Sequence, residues 1–169
     1  MQVYILKESN SDSRVAASPD TVKKMIDWGL KVVIQDNAGL NSNFSNEDYV
    51  KSGATISNSI TDISKSDLIL KINKPNDDEI VLMNEGSILI ASLDPYNNNE
   101  TLNKLKDKGV TSFAMELMPR ITRAQSMDIL SSQSNLAGYK AVIDATYLFN
   151  KAMPMMMTAT GTIAPAKVM

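Results

Sequence analysis

The chain has 169 residues and a mass of 18.5 kDa, enough for one domain, or one domain with an appendage, that buries roughly 70% of its unfolded surface. Hydrophobic residues make up 43% and charged residues 21%, with a formal net charge of −2, which excludes a disordered or collagen-like chain and argues against nucleic acid as a partner. The absence of Cys and His removes disulfides, thiolate nucleophiles, histidine-based triads and the common zinc sites, so no metal is expected and chemistry falls to Lys, Arg, carboxylates, Tyr or a borrowed cofactor.

Short apolar runs alternate with polar helical stretches from the N-terminus onward, the pattern of βαβ units on a parallel sheet. Strands are predicted at Val3–Leu6, Lys31–Gln35, Ala54–Ile56, Leu68–Ile72, Ser87–Ser92 and Val110–Ala114. Runs such as Leu68-Ile69-Leu70 and Ile88-Leu89-Ile90 are apolar at every position, as in strands covered on both faces. The expected fold is therefore a doubly wound, mainly parallel α/β sheet of flavodoxin or Rossmann type. Ser18, Pro19 and Asp20 supply the cap, the preset φ and the dipole complement of the first helix, and Gly29 stops it. Further helices are predicted at Asn46–Ser52, Ser59–Ser64, Asp77–Met83 and Asn99–Lys108, the last capped from the Asn97–Asn99 turn.

Beyond Pro119, Thr122 and Gln125 carry a capping-box spacing that opens a helical region from Arg123 to Lys151, with a kink expected near Ser132–Asn135 and a stop at Pro154. Leu136, Tyr139, Ile143 and Tyr147 share one face, and the small residues Ala137, Gly138, Ala141 and Ala145 would allow close packing. The tail from Met155 reads as a connector followed by the first strand of another domain. The expected organisation is a Rossmann-like domain over 1–122, a linker helix over 123–153, and a connector with a first strand over 154–169. No apolar run reaches the roughly 20 residues of a membrane span, and the N-terminus becomes polar too early for a signal peptide, so the chain is expected to be cytoplasmic without inserting into a membrane.

Sites of doubly wound sheets lie at the carboxyl ends of the strands. Arg14, after the first strand, reads either as a fork of donors for a carboxylate, phosphate or carboxamide, or as a solvated arginine ahead of a capped helix. Lys71, after Leu70, reads either as a charge at the same crevice or as a snorkelling stem. Gln125, Asp128 and Ser132 would project from one side of a helix, with Ser131 at its edge and Arg120 just before the turn. That stripe could hydrogen-bond an amide, ribose or phosphate; equally, Thr122 and Gln125 could form a cap and Asp128 complement the helix dipole. No glycine cluster is present, so the chain has neither G-x-G-x-x-G nor a Walker loop. A receiver domain is disfavoured because Lys7-Glu8-Ser9-Asn10 lacks an acidic pair.

The segments Ser13-Arg14-Val15-Ala16-Ala17-Ser18-Pro19, Leu70-Lys71-Ile72-Asn73-Lys74-Pro75 and Pro119-Arg120-Ile121-Thr122-Arg123-Ala124-Gln125-Ser126-Met127-Asp128-Ile129-Leu130-Ser131-Ser132, followed by Asn135-Leu136-Ala137-Gly138-Tyr139, resemble the N-terminal NAD(H)-binding component of proton-translocating nicotinamide nucleotide transhydrogenase. The resemblance runs the length of the chain. It implies that Arg120, Gln125, Asp128, Ser131 and Ser132 hold the nicotinamide end of NAD(H), with Gln125 reaching toward NADP(H) on a partner component. The related alanine dehydrogenases share the first two segments, where Arg14 and Lys71 would match substrate ligands, but they also need a histidine near Ser92–Pro95, where this chain has none. Direct hydride transfer between two nicotinamides moves no proton in the step itself, so it needs alignment rather than a general acid or base.

In the family, a strand like Pro165–Met169 runs into a glycine-rich turn for the NAD pyrophosphate, so the chain is expected to hold an incomplete NAD site and to be inactive alone. The resemblance implies as partners the rest of an alpha subunit, an NADP(H)-binding component, a membrane proton channel and a second copy, with the assembly on the cytoplasmic side of the inner membrane. The competing expectations are a non-catalytic flavodoxin-like interaction module and a fragment of an amino-acid dehydrogenase.

Overall fold

The computed structural model describes residues 1–9 and 11–167, and the chain forms two compact units, Met1–Met127 and Asp128–Met169. The first unit is built on six strands, β1 (Gln2–Ile5), β2 (Lys31–Gln35), β3 (Thr55–Ser57), β4 (Leu68–Leu70), β5 (Ile88–Ala91) and β6 (Thr111–Ala114). Val3, Tyr4, Ile5 and Leu6 are fully buried. Successive strand residues point to opposite faces, so Val3 and Ile5 enter one apolar cluster while Tyr4 and Leu6 enter another. A strand apolar on both faces belongs in the middle of a covered sheet. The sheet order is β3-β2-β1-β4-β5-β6, with every pairing parallel.

Helices α1 (Pro19–Asp27) and α2 (Asn46–Lys51) place Val22 and Tyr49 in the Val3/Ile5 cluster, whereas α3 (Asp77–Leu82) and α4 (Asn99–Asp107) place Ile80 and Leu105 in the Tyr4/Leu6 cluster. The architecture is the Rossmann-like α/β sheet expected from the sequence. The chain winds outward from β1 through β2 to β3, then returns to set β4 on the other side of β1. The carboxyl ends of β1 and β4 are thus the point where the winding reverses, the place at which such sheets bind ligands.

Strand ends lie within two residues of those expected. Ser18 caps α1, accepting from the Thr21 amide at 3.3 Å, and Gly29 takes φ +84° just beyond it. Two expectations fail locally. The segment expected as a helix over Ser59–Ser64 is a 3-10 helix, Ile60–Lys65. Asn98 holds the N-cap position of α4 without a side-chain cap, because its amide donates to the Asp94 carbonyl at 3.1 Å and its oxygen accepts from the Lys74 ammonium.

In the second unit, helix α5 (Ile129–Leu148) begins later than expected and passes through Ser132–Asn135 without interruption. Its cap is Asp128, not Thr122: the Asp128 carboxylate accepts from the Ser131 amide at 3.0 Å and the Ser131 hydroxyl at 2.6 Å. An anionic cap complements the helix dipole in a way Thr122 cannot, and Thr122–Met127 is instead a 3-10 helix. The helix ends at Phe149, with Pro154 lying in the connector after it. Its apolar residues are not confined to one stripe, for Val142 and Leu148 are as exposed as Leu136 and Tyr139. The tail forms an antiparallel hairpin rather than a single new strand, β7 (Met156–Thr158) with β8 (Gly161–Ile163), so the Met155–Met157 run is neither core nor plain connector. Of the expected strand from Pro165, Val168 and Met169 lie outside the described residues.

Tyr49 ties the α2 layer to the sheet. Its ring lies over Gly39, where an added Cβ would come within 2.6 Å of it, and its hydroxyl donates to the buried Ala17 carbonyl at 2.9 Å. Burial pushes this phenol up to about 12, so the fold holds the neutral form. Its contribution is complete below the ordinary tyrosine pKa of about 10 and is lost as pH rises toward the folded value. Ultraviolet titration is expected to show one tyrosine ionising only with alkaline unfolding, and Tyr49→Phe should lower the unfolding free energy by about 1 kcal/mol while removing that late transition.

Candidate functional site

Two residues beyond β1 lies Glu8, which is 5% exposed. A buried carboxylate needs donors, and the segment after β4 supplies three: the Ile72 amide at 2.7 Å, the Asn73 amide at 3.2 Å and the Asn73 side-chain nitrogen at 3.0 Å. Glu8 therefore joins the ends of the two strands at which the winding reverses. The Asn73 nitrogen also donates to Asp12 at 2.8 Å, and Asp12 holds Arg14 through contacts of 2.9 Å to Nε and 2.6 Å to a terminal nitrogen. The Arg14 hydrogen bond draws the Asp12 carboxyl well below the usual carboxylate range, aided by Asn73, and raises the guanidinium in turn. Arg14 keeps 45% of its side chain exposed, so it is anchored without being buried.

Lys71 does not snorkel. Its ammonium lies 2.6 Å from both carboxylate oxygens of Glu79, and the two side chains are each 6% exposed. Glu79 is held in place because it closes a capping box on α3, accepting from the Asn76 amide at 2.8 Å. At the next pair of strands, Glu116 after β6 accepts from the Leu93 amide at 2.8 Å and from the Asp94 amide, fixing Asp94 at φ +46°.

Arg120 and Gln125 are exposed on the segment that leads out of β6, and both belong to the first unit. Asp128, Ser131 and Ser132 belong to the second. The stripe expected from one continuous helix is not formed, because Gln125 sits in a 3-10 helix while Asp128 is the cap of α5. Within each unit the contacts join Arg14 to Asp12 and Asn73, Lys71 to Glu79, and Asp128 to Ser131. Sequence reasoning missed Glu8, Asp12, Asn73, Glu79 and Glu116. The Asn76-x-x-Glu79 spacing was a readable capping signal, and Glu8 directly follows a wholly apolar strand; nothing local marks Glu116. Among the described residues no group of His, Cys, Asp and Glu could hold a metal ion.

The family model described as the alanine dehydrogenase/PNT N-terminal domain matches residues 4–137. The chain belongs to that family. Across its whole length it is 44% identical to the first of the polypeptides that make up the NAD(P) transhydrogenase alpha subunit of Rhodospirillum rubrum, covering 46% of that relative. The solved transhydrogenase of Sinorhizobium meliloti superposes with a TM-score of 0.93 at 48% identity, over 98% of this chain and 50% of that one. An L-alanine dehydrogenase superposes with a TM-score of 0.80 at 28% identity, over 87% of this chain and 40% of that one. The chain thus spans about half the length of the curated relatives it matches. Membership explains why the ligand side of the sheet has loops tied by side chains rather than a glycine-rich turn.

Two outcomes test this geometry. Glu79→Ala leaves a buried ammonium unpaired and should cost about 3–5 kcal/mol in urea unfolding, whereas Lys71→Met with Glu79→Gln, which keeps an acceptor for the Asn76 amide, should recover most of that loss. The depressed Asp12 carboxyl adds stability that is complete above the ordinary aspartate value of about 4 and is lost as pH falls below it, so Asp12→Asn should flatten the acid limb of the stability profile.

Proposed function

We propose that this chain supplies one wall of the NAD(H) cleft of a proton-translocating transhydrogenase, in which hydride passes between NAD(H) and NADP(H). The observation that carries this reading is the superposition on a solved transhydrogenase over 98% of the chain. The donor set agrees with it. Arg120 and Gln125 present an exposed guanidinium and an exposed amide, and Ser131 and Ser132 present exposed hydroxyls, groups that suit a carboxamide and a ribose. Nothing in the chain resembles a pyrophosphate cradle, so that end of the coenzyme falls to a further dinucleotide-binding domain.

In this reading Arg120, Gln125 and Asp128 align the nicotinamide end, with Asp128 also fixing Ser131, while Arg14 and Lys71 belong to the crevice behind them. The bound coenzyme supplies the hydride chemistry, and the chain's residues bind, orient and exclude water. The absence of histidine is no obstacle, since the transfer needs no protein proton donor. The partners are the remainder of an alpha subunit, an NADP(H)-binding component and a membrane proton channel on the cytoplasmic side of the inner membrane, with a second copy forming a dimer. No helix among the described residues is long and apolar enough to cross a membrane, so attachment runs through the partners. The likeness to an L-alanine dehydrogenase favours an amino-acid dehydrogenase as the second reading, and the missing histidine counts against it.

The test combines the 169-residue chain with a recombinant dinucleotide-binding half and an NADP(H)-binding component, and follows reduction of an NAD analogue by NADPH. Turnover is expected from the mixture and not from the chain alone, with a loss of at least about tenfold, or 1.4 kcal/mol, on Gln125→Ala. Absence of turnover from the complete mixture would favour a non-catalytic interaction module.

A further inference from the structure

Arg14 reaches the mouth of the β1–β4 crevice from a loop with few anchors. The Ser42 hydroxyl donates to the Ser13 carbonyl at 2.5 Å, and Asp12 is tied across the fold by the Asn73 side-chain nitrogen. That nitrogen has two hydrogens, and both are used, one on Glu8 and one on Asp12. Glu8 also takes the Ile72 and Asn73 amides, so its carboxylate sets both the backbone position of Asn73 and the direction in which the side-chain amide points. Its charge adds to the attraction that keeps Arg14 protonated, which places it within electrostatic reach of the guanidinium.

We infer that Glu8 is a positioning residue: acting through Asn73 and Asp12, it holds the Arg14 guanidinium at the mouth of the crevice between β1 and β4. This rests on the reading of that crevice as part of the coenzyme wall. A carboxylate that served only to stitch two strand ends would need the backbone amides alone, yet Glu8 spends one oxygen on the side chain that leads to Arg14. Replacing it by Gln preserves size but turns half of the acceptor into a donor facing other donors, so the Asn73 amide loses its orientation.

The test uses the whole 169-residue chain and phenylglyoxal, a dicarbonyl that modifies accessible guanidiniums, with site-resolved peptide mapping. Glu8→Gln is expected to raise the modification rate of Arg14 at least threefold and to leave Arg120 and Arg123 unchanged. Asn73→Ala, which keeps both backbone amides on Glu8, should raise it by a similar factor, and the double variant should exceed neither single one by more than twofold. An Arg14 rate within a factor of 1.5 of the parent in Asn73→Ala overturns the inference, even if Glu8→Gln fails to fold. So does a Glu8→Gln chain that melts earlier with Arg14 reactivity unmoved. The assay contains no coenzyme, so raised reactivity beside a failed reconstitution would keep the positioning role and remove the transhydrogenase reading.

Discussion

The Glu8 carboxylate, buried at the reversal point of the sheet, is the constraint from which the rest of the ligand side follows. Parallel strands leave their carboxyl ends as open loops, and the loops after β1 and β4 depart in opposite directions because the winding changes sense between them. A buried anion that must be satisfied by the neighbouring strand's amides turns that divergence into a fixed edge. From this edge the polar links extend outward to Asp12 and Arg14 on one side, and from the same β4 segment through Lys74 to Asn98 on the other.

A second principle runs through the unit: each cation near the crevice has a carboxylate of the chain's own. Arg14 is matched by Asp12 and Lys71 by Glu79, and Glu116 repeats the grip of Glu8 at the ends of β5 and β6. Buried pairs of this kind are weak contributors to stability but costly to break from one side, which suits a surface whose side chains must keep their aim. Such a surface fits chemistry done by a coenzyme, where geometry matters more than proton transfer.

Much of the fold was legible because strands buried on both faces cannot hide their apolar runs and because Ser18-Pro19-Asp20 has few alternatives to a helix start. The site was legible only where a family motif carried it. Polar links between residues more than sixty positions apart, such as Glu8 with Asn73, leave no periodic trace, since each partner alone looks like a solvated loop residue. Thr122 misled for a related reason: its spacing to Gln125 satisfies the capping-box pattern, but Asp128 offers the following helix a charged cap and takes the position. The hairpin of β7 and β8 lacked any Asn-Gly or Asp-Gly turn signal, its connection being Ala159-Thr160.

Native-state hydrogen exchange at Ile72 and Asn73 measures the central grip directly. With Glu8 in place both amides should be protected nearly to the level of global unfolding, and in a folded Glu8→Gln chain the Asn73 amide should exchange at least a hundredfold faster while amides in the middle of β1 and β5 hold their protection. Equal protection of Asn73 in the parent and the variant would show that the strand ends are held without the carboxylate, and the account built on it would fail.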